Sequence, residues 1–256
     1  MILPTFSSLG GGPTVLMLHG IGGGHQAFAP QLETLASSGY RAVAWDMPGY
    51  GHSAPIEPYT FKGLAQCCIA LIESLQCGAV TLVGHSMGGM VAQEVVARRP
   101  ELVGKLVLSG TSPSFGKPDG DWQRSFIAQR TAPLDAGQTM AQLAAVLVPE
   151  MAGPAAQPEG LKLATHCMSL VNPSTYRRAL AALVTFDRRA NLPHIGVPTL
   201  LVGGEHDRNA PPAVMRKMAG AIPGSTYIEL AGVGHLQNLE APDDFDGLLL
   251  NFLVLH

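Results

Sequence analysis

Nothing in this chain marks a nucleic-acid surface, a membrane span or a disulfide framework. Lysine and arginine together number 16 against 19 aspartate and glutamate, a formal net charge of −3. No basic cluster is longer than a pair such as Arg188-Arg189. Recognition of a phosphate backbone needs a basic face or stripe, so no nucleic-acid partner is expected. No apolar run approaches the ~18 residues a membrane helix requires, so no membrane partner is expected either. The short run from Leu248 to Leu255 reads instead as a core-facing terminal helix. The N-terminus has no basic stretch leading into an apolar one, which argues against a secretory signal. The four cysteines, Cys67, Cys68, Cys77 and Cys167, show neither C-x-x-C spacing nor a pairing framework. Reduced thiols in a cytoplasmic protein are therefore expected. Internal repeats and low-complexity tracts are also missing, and no feature speaks to oligomeric state.

What is present is an alternation of strand-like and helix-like segments. With 256 residues the chain can bury a full core and is compatible with one large α/β domain carrying an inserted subdomain. Residues Pro13 to Leu18 form a short, almost wholly apolar run, as suits a central strand of a parallel sheet buried on both faces. A helix is predicted over Ala29–Ser37, stopped by Gly39, then a strand over Tyr40–Asp46 and a Gly/Pro-rich loop to Ser53. A helix over Phe61–Leu75 leads into the strand at Ala79–Val83. Met87, Val91 and Val95 recur every fourth residue, one apolar face of a helix that ends by Pro100. Lys105–Ser109 is the next strand; Val197–Gly203 and Ser225–Leu230 follow much later. At most one strand fits before Val15. Such βα units imply an α/β fold with a doubly wound, mostly parallel sheet and right-handed crossovers. From about Thr111 to Leu192 no good strand is found, only helix-like pieces. Asp135-x-x-Gln138 resembles a capping box and Asn172-Pro173 a helix start. The predicted organisation is a core of residues 1–110 and 193–256 with a helical lid over residues 111–192.

The chemistry centres on Gly84-His85-Ser86-Met87-Gly88-Gly89, directly after the strand at Ala79. This G-x-S-x-G pattern is the sharp strand-to-helix turn that exposes a serine nucleophile, and its strain requires residues without side chains at positions 84 and 88. The pentapeptide alone is weak, because the chain has 30 glycines. A serine hydroxyl needs a base, and the base an orienting acid. In open α/β sheets reactive groups gather at the carboxyl ends of strands. Gly203-Gly204-Glu205-His206-Asp207 follows one late strand and Gly232-Val233-Gly234-His235 the other. Ser86, Asp207 and His235 are therefore the candidate nucleophile, acid and base, with Glu205 as the rival acid. His85 is read as filling space beneath the turn. The backbone N–H groups of Met87 and Ile21 are the candidate donors to a developing oxyanion, Ile21 lying in the loop His19 to Gly24. The same loop has no P-loop lysine and no G-x-G-x-x-G, so a phosphate site is the weaker reading.

His19-Gly20, the run from Asp46 to Ser53, Gly84 to Gly89, Gly203 to Asp207 and Gly234-His235 together resemble the α/β-hydrolase superfamily, from roughly residue 14 to the end. Within it, the stretches from Gly234 to Pro242 and Phe186 to Arg188 are most similar to 3-oxoadipate enol-lactonase and its esterase relatives. The resemblance implies hydrolysis of a small carboxylic ester or lactone, a small-molecule substrate, no cofactor and no metal. His85 departs from the apolar residue expected in enol-lactonases, and Gly22-Gly23-Gly24 is closer to hydrolases that cleave carbon–carbon bonds of ring-cleavage diketones, the first alternative. A non-catalytic binding protein of the same fold is the second. Epoxide hydrolases and dehalogenases share the Asp46–Ser53 loop, but their aspartate nucleophile is excluded by Ser86. Met140, Met151, Met168, Phe126 and Trp122 are read as core rather than cavity wall. Arg124, Arg130, Arg177, Arg178, Arg188 and Arg189 include possible carboxylate anchors, most of them expected to be surface charges.

Overall fold

The computed structural model describes residues 3–115 and 120–256. Residues 1–2 and 116–119, inside the predicted core and lid ranges, lie outside the described residues. The sheet has seven strands in the order β1-β3-β2-β4-β5-β6-β7. They are β1 (Phe6–Leu9), β2 (Thr14–Leu18), β3 (Arg41–Trp45), β4 (Val80–His85), β5 (Val103–Ser109), β6 (Thr199–Gly204) and β7 (Thr226–Leu230). β1 is the single strand before Val15 and pairs antiparallel with β3 at the edge; all other neighbours are parallel. β2 and β4 are buried along their whole length, which is why they read as unbroken apolar runs rather than alternating ones.

The helices follow the sequence periodicity. They are α1 (Ala29–Ser37), α2 (Phe61–Ser74), α3 (Met87–Arg98), α4 (Asp121–Asp135), α5 (Met140–Met151), α6 (Pro158–Ser169), α7 (Pro173–Leu183), α8 (Pro212–Ala221), α9 (Gln237–Glu240) and α10 (Pro242–Leu255). Successive strand residues point to opposite faces. Leu16, Leu18, Val43, Trp45, Leu82, Leu106 and Leu108 join one core with α2, α3 and α8. Val15, Met17, Ala42, Ala44, Val83, Val107 and Val202 join the other with Phe28 and Leu35 near α1, and with Phe245, Leu249 and Phe252 of α10. The terminal helix thus begins six residues before Leu248, its first turn carrying Asp243 and Asp244 at the positive end of the helix dipole.

Between β5 and β6 stand α4 to α7, whose Leu143, Leu147, Met168, Tyr176 and Leu180 extend the larger core. One start signal lies elsewhere than expected. Asp135 is the last residue of α4, where its carboxylate pairs with Arg177 at 2.6 Å, and Gln138 sits in the turn. The capping box is Thr139–Gln142 at the start of α5: the Gln142 N–H donates to Thr139 Oγ1 (3.2 Å), and the Thr139 N–H to Gln142 Oε1 (2.8 Å). Pro173 does occupy the first turn of α7, with Asn172 Oδ1 accepting from the Ser174 N–H at 2.9 Å. Among the described residues no helix is long and apolar enough to cross a membrane, and the four cysteines are unbridged.

Candidate active site

The turn between β4 and α3 holds Ser86 at φ 52°, ψ −119°, in the left-handed region that a residue with a side chain rarely occupies. A Cβ on Gly88 would lie 2.0 Å from the Leu18 carbonyl oxygen of β2, and one on Gly84 2.5 Å from the Gly89 backbone. Strand and helix can therefore approach only where both positions lack side chains. The turn is held by the Ser86 N–H donating to the Ser109 carbonyl (2.9 Å) and by Thr111 Oγ1 donating to the Ser86 carbonyl (2.7 Å).

Ser86, Asp207 and His235 follow the carboxyl ends of β4, β6 and β7, and the tertiary structure brings them together. His235 Nε2 lies 3.0 Å from Ser86 Oγ, and His235 Nδ1 lies 2.8 Å from Asp207 Oδ2. Asp207 Oδ1 accepts the N–H groups of Asn209 (2.7 Å) and Ala210 (2.9 Å). Burial pushes the Asp207 carboxyl upward, but the His235 imidazole and these two N–H groups outweigh it and hold the group below its ordinary value. Glu205, the rival acid, faces away from the imidazole: it is exposed and accepts the Gly232 N–H at 2.8 Å.

The candidate oxyanion donors sit in different surroundings. Met87 is the first residue of α3, its side chain wholly in the core. Ile21 is half-buried in the loop after β2, and its carbonyl accepts the Tyr50 hydroxyl at 2.8 Å. That loop is braced again at His19, whose Nε2 accepts the Met47 N–H (3.0 Å), so that Nδ1–H donates to the Gly20 carbonyl (2.7 Å). Burial drives the His19 imidazole down to about 4, against the weaker opposing pull of the Gly20 carbonyl and Asp46.

Two connected lobes open above Ser86. One is lined by His19 to Gly23, Leu147, Val148, Ala164, Met168 and Leu239. The other is lined by Thr111, Ser112, Phe115, Trp122, Phe126 and Arg208. Ile21, Ser86, Arg130, Met151, Tyr176 and His235 border both. Of the residues read as core, only Met140 is confined to it; Met151, Met168, Phe126 and Trp122 are cavity wall, with Trp122 60% exposed. A helical heptad does not say which of its apolar residues meets a neighbouring helix and which meets a void. Among the described residues no three His, Cys, Asp or Glu side chains are grouped to hold a metal ion.

A family model described as alpha/beta hydrolase fold matches residues 13–242. The chain belongs to that family. It is 30% identical over 248 residues to RutD of Pseudomonas syringae pv. syringae (strain B728a), provisionally named a carbamate hydrolase, covering 94% of this chain and 93% of that one. It is 29% identical to the pimeloyl-[acyl-carrier protein] methyl ester esterase of Vibrio vulnificus (strain YJ016), with 95% of each covered. Among solved structures, the enol-lactonase from Burkholderia xenovorans LB400 superposes with a TM-score of 0.86 at 27% identity, over 98% of this chain and 96% of that one. The protein is thus an enzyme of the α/β-hydrolase family, similar to esterases and a lactonase.

Sequence reasoning missed the residues that hold His235 in place. Glu240, fully buried, accepts three backbone N–H groups, each at 2.7 Å: Gly234 and Gly153 on Oε2, and Leu236 on Oε1. The N–H groups of the two residues flanking His235 are therefore pinned to one carboxylate, together with the segment after α5. The His235 N–H donates to the Met151 carbonyl at 2.8 Å. His85 is no mere filler: its Nε2–H donates to the His235 carbonyl at 2.7 Å, and burial, with the neighbouring His235, drives the His85 imidazole down to about 3. Gln237, also buried, donates to the Gly234 carbonyl (2.9 Å) and to Asp207 Oδ2 (3.3 Å). The only sequence signal for Glu240 was its place in the Gly234–Pro242 stretch.

Proposed function

We propose that the protein is a serine hydrolase that cleaves a small carboxylic ester or lactone through an acyl-enzyme intermediate. The observation that carries the reading is the unbroken relay from Asp207 Oδ2 through His235 (2.8 Å) to Ser86 Oγ (3.0 Å). Ser86 Oγ attacks the ester carbonyl as His235 Nε2 takes its proton; Asp207 holds the imidazole with Nδ1–H toward itself and stabilises the imidazolium. His235 then protonates the departing alkoxide. Water, deprotonated by His235, attacks the acyl-Ser86 carbonyl, and the proton returns to Ser86 as the acid leaves. The N–H groups of Met87 and Ile21 receive the oxyanion; the bond from Tyr50 to the Ile21 carbonyl and the His19 brace support a fixed loop, as preorganised donors require. Residues 111–192 act as the lid, their α5 and α6 supplying Leu147, Val148, Met151 and Met168 to the cavity over Ser86. The named activities of the methyl ester esterase and the enol-lactonase to which the chain is similar support the ester or lactone class.

A fluorophosphonate is expected to label Ser86, and Ser86→Ala to lose both the label and hydrolysis by at least ~10³-fold. Undiminished hydrolysis by Ser86→Ala would refute the mechanism. Turnover of a ring-cleavage diketone with none of 4-nitrophenyl esters or lactones would replace it with carbon–carbon cleavage at the same serine.

A further inference from the structure

Of the six arginines read from the sequence as mostly surface charges with a carboxylate anchor among them, five have carboxylate partners in the structure. Arg124 pairs with Asp121, Arg177 with Asp135, Arg178 with Glu57, Arg188 with Glu94 and Arg189 with Asp187. Arg130 differs. It projects from α4 to border both lobes of the cleft, and among the described residues no Asp or Glu is within ion-pair distance of it. Its guanidinium lies 5.3 Å from the centroid of the Phe126 ring and stands beside Tyr176, itself buried and bordering both lobes. Both contacts hold the group in place and leave its charge unneutralised.

The surroundings point the same way. Among the described residues no Asp or Glu lines either lobe, whereas Arg208 stands at the exposed rim of the second, so their lining carries two guanidinium groups and no carboxylate. This local excess of positive charge sits in a chain of net charge −3. A half-buried guanidinium without a counter-charge is open to one supplied by a ligand, and its planar fork matches a carboxylate in a bidentate pair. We propose that Arg130 binds a carboxylate of the substrate, with Arg208 drawing it in, so that the preferred substrates are anionic: monoesters of dicarboxylic acids, or lactones bearing a free acid. This deepens the hydrolase reading and rests on it. Arg130 is then the specificity-determining residue, acting at the end of the substrate remote from Ser86.

The test compares 4-nitrophenyl hydrogen adipate with 4-nitrophenyl heptanoate, a neutral ester of nearly the same shape. The adipate monoester is expected to have roughly 10- to 100-fold the higher kcat/KM, the range of a charge-assisted interaction. Arg130→Met keeps much of the apolar stem and is expected to erase that preference through KM, leaving the heptanoate within about threefold; Arg130→Lys is expected to restore part of it. Arg208→Ala, at the rim, is expected to cost only a few-fold and to lose its effect in high salt. Equal turnover of the two esters by the unmodified protein, or an equal loss on both in Arg130→Met, would overturn the proposal. Calorimetric titration of the Ser86→Ala protein with adipate separates it from the hydrolase reading. Binding that vanishes in Ser86→Ala/Arg130→Met supports the anion site even if no ester is turned over, and absence of binding overturns it.

Discussion

Replacing Glu240 with glutamine removes one acceptor while keeping size and shape, which makes it a sharp test of how the His235 loop is held. The carboxylate takes the N–H groups of Gly153 and Gly234 on Oε2 and that of Leu236 on Oε1, all at 2.7 Å. An amide has one oxygen. In its better orientation that oxygen serves Gly153 and Gly234, and the NH2 is left facing the Leu236 N–H, donor against donor. The lost bond to a charged acceptor is worth about 1.5–3 kcal/mol, and the remaining two lose their charge assistance. Together these suggest roughly 3–5 kcal/mol, a large part of the ~5–15 kcal/mol that stabilises an ordinary domain. At about 2–4 °C per kcal/mol, Tm should fall by roughly 6–20 °C. The loosened N–H groups belong to the residues on either side of His235, so hydrolysis should fall by about 10- to 100-fold, the scale of a misplaced reacting group. Urea titration and ester hydrolysis measured on the same preparation check both effects, with the exposed Glu33→Gln as the control expected within ~0.5 kcal/mol. A Glu240→Gln protein within 1 kcal/mol and threefold of the parent would refute the idea that this carboxylate positions His235.

Two further outcomes follow from the same geometry. The His19 and His85 imidazoles, driven by burial to about 4 and about 3, resist protonation when folded, whereas unfolded histidines protonate near 6.5. The unfolded state therefore binds more protons below pH 6.5, and stability should fall by roughly 4 kcal/mol between pH 7 and pH 5, about 2 kcal/mol per histidine. Urea titrations across that range check this, and a flat profile would contradict the buried, neutral assignment; the depressed carboxyls of Asp46, Glu94 and Asp207 contribute only at lower pH. Gly88→Ala would drive a Cβ to 2.0 Å from the Leu18 carbonyl oxygen, which no rotamer relieves, so poor yield of folded protein and loss of Ser86 labelling are expected. A folded, labelled variant by circular dichroism and mass spectrometry would show that the turn is less crowded than its geometry requires.

The strands and the sharp turn were legible in the sequence because their causes are local. An unbroken apolar run such as Val15 to Leu18 has few homes other than a strand buried on both faces, and the glycines at 84 and 88 answer a steric demand within one turn. The order Ser86, Asp207, His235 was legible too, since each candidate stands just past a strand and parallel strands bring their carboxyl ends to one edge. Asp207 was preferred there to Glu205, but the contacts that separate the two, with His235 Nδ1 for one and the Gly232 N–H for the other, are visible only in the tertiary structure.

What only tertiary structure decided are contacts between segments far apart in the chain. The Glu240 carboxylate meets the Gly153 N–H 87 residues away, and His85 meets the His235 carbonyl 150 residues away. Side-chain identity alone cannot announce such pairs. The same holds for Arg130: sequence supplied six similar arginines, and packing left one of them facing the cleft with no carboxylate partner among the described residues. Local sterics and hydrophobic periodicity made the places of Ser86, Asp207 and His235 at strand ends legible along the chain. Packing determined what holds His235 still and which guanidinium borders the cleft above Ser86, because helix rotation and loop docking are set by the whole core at once.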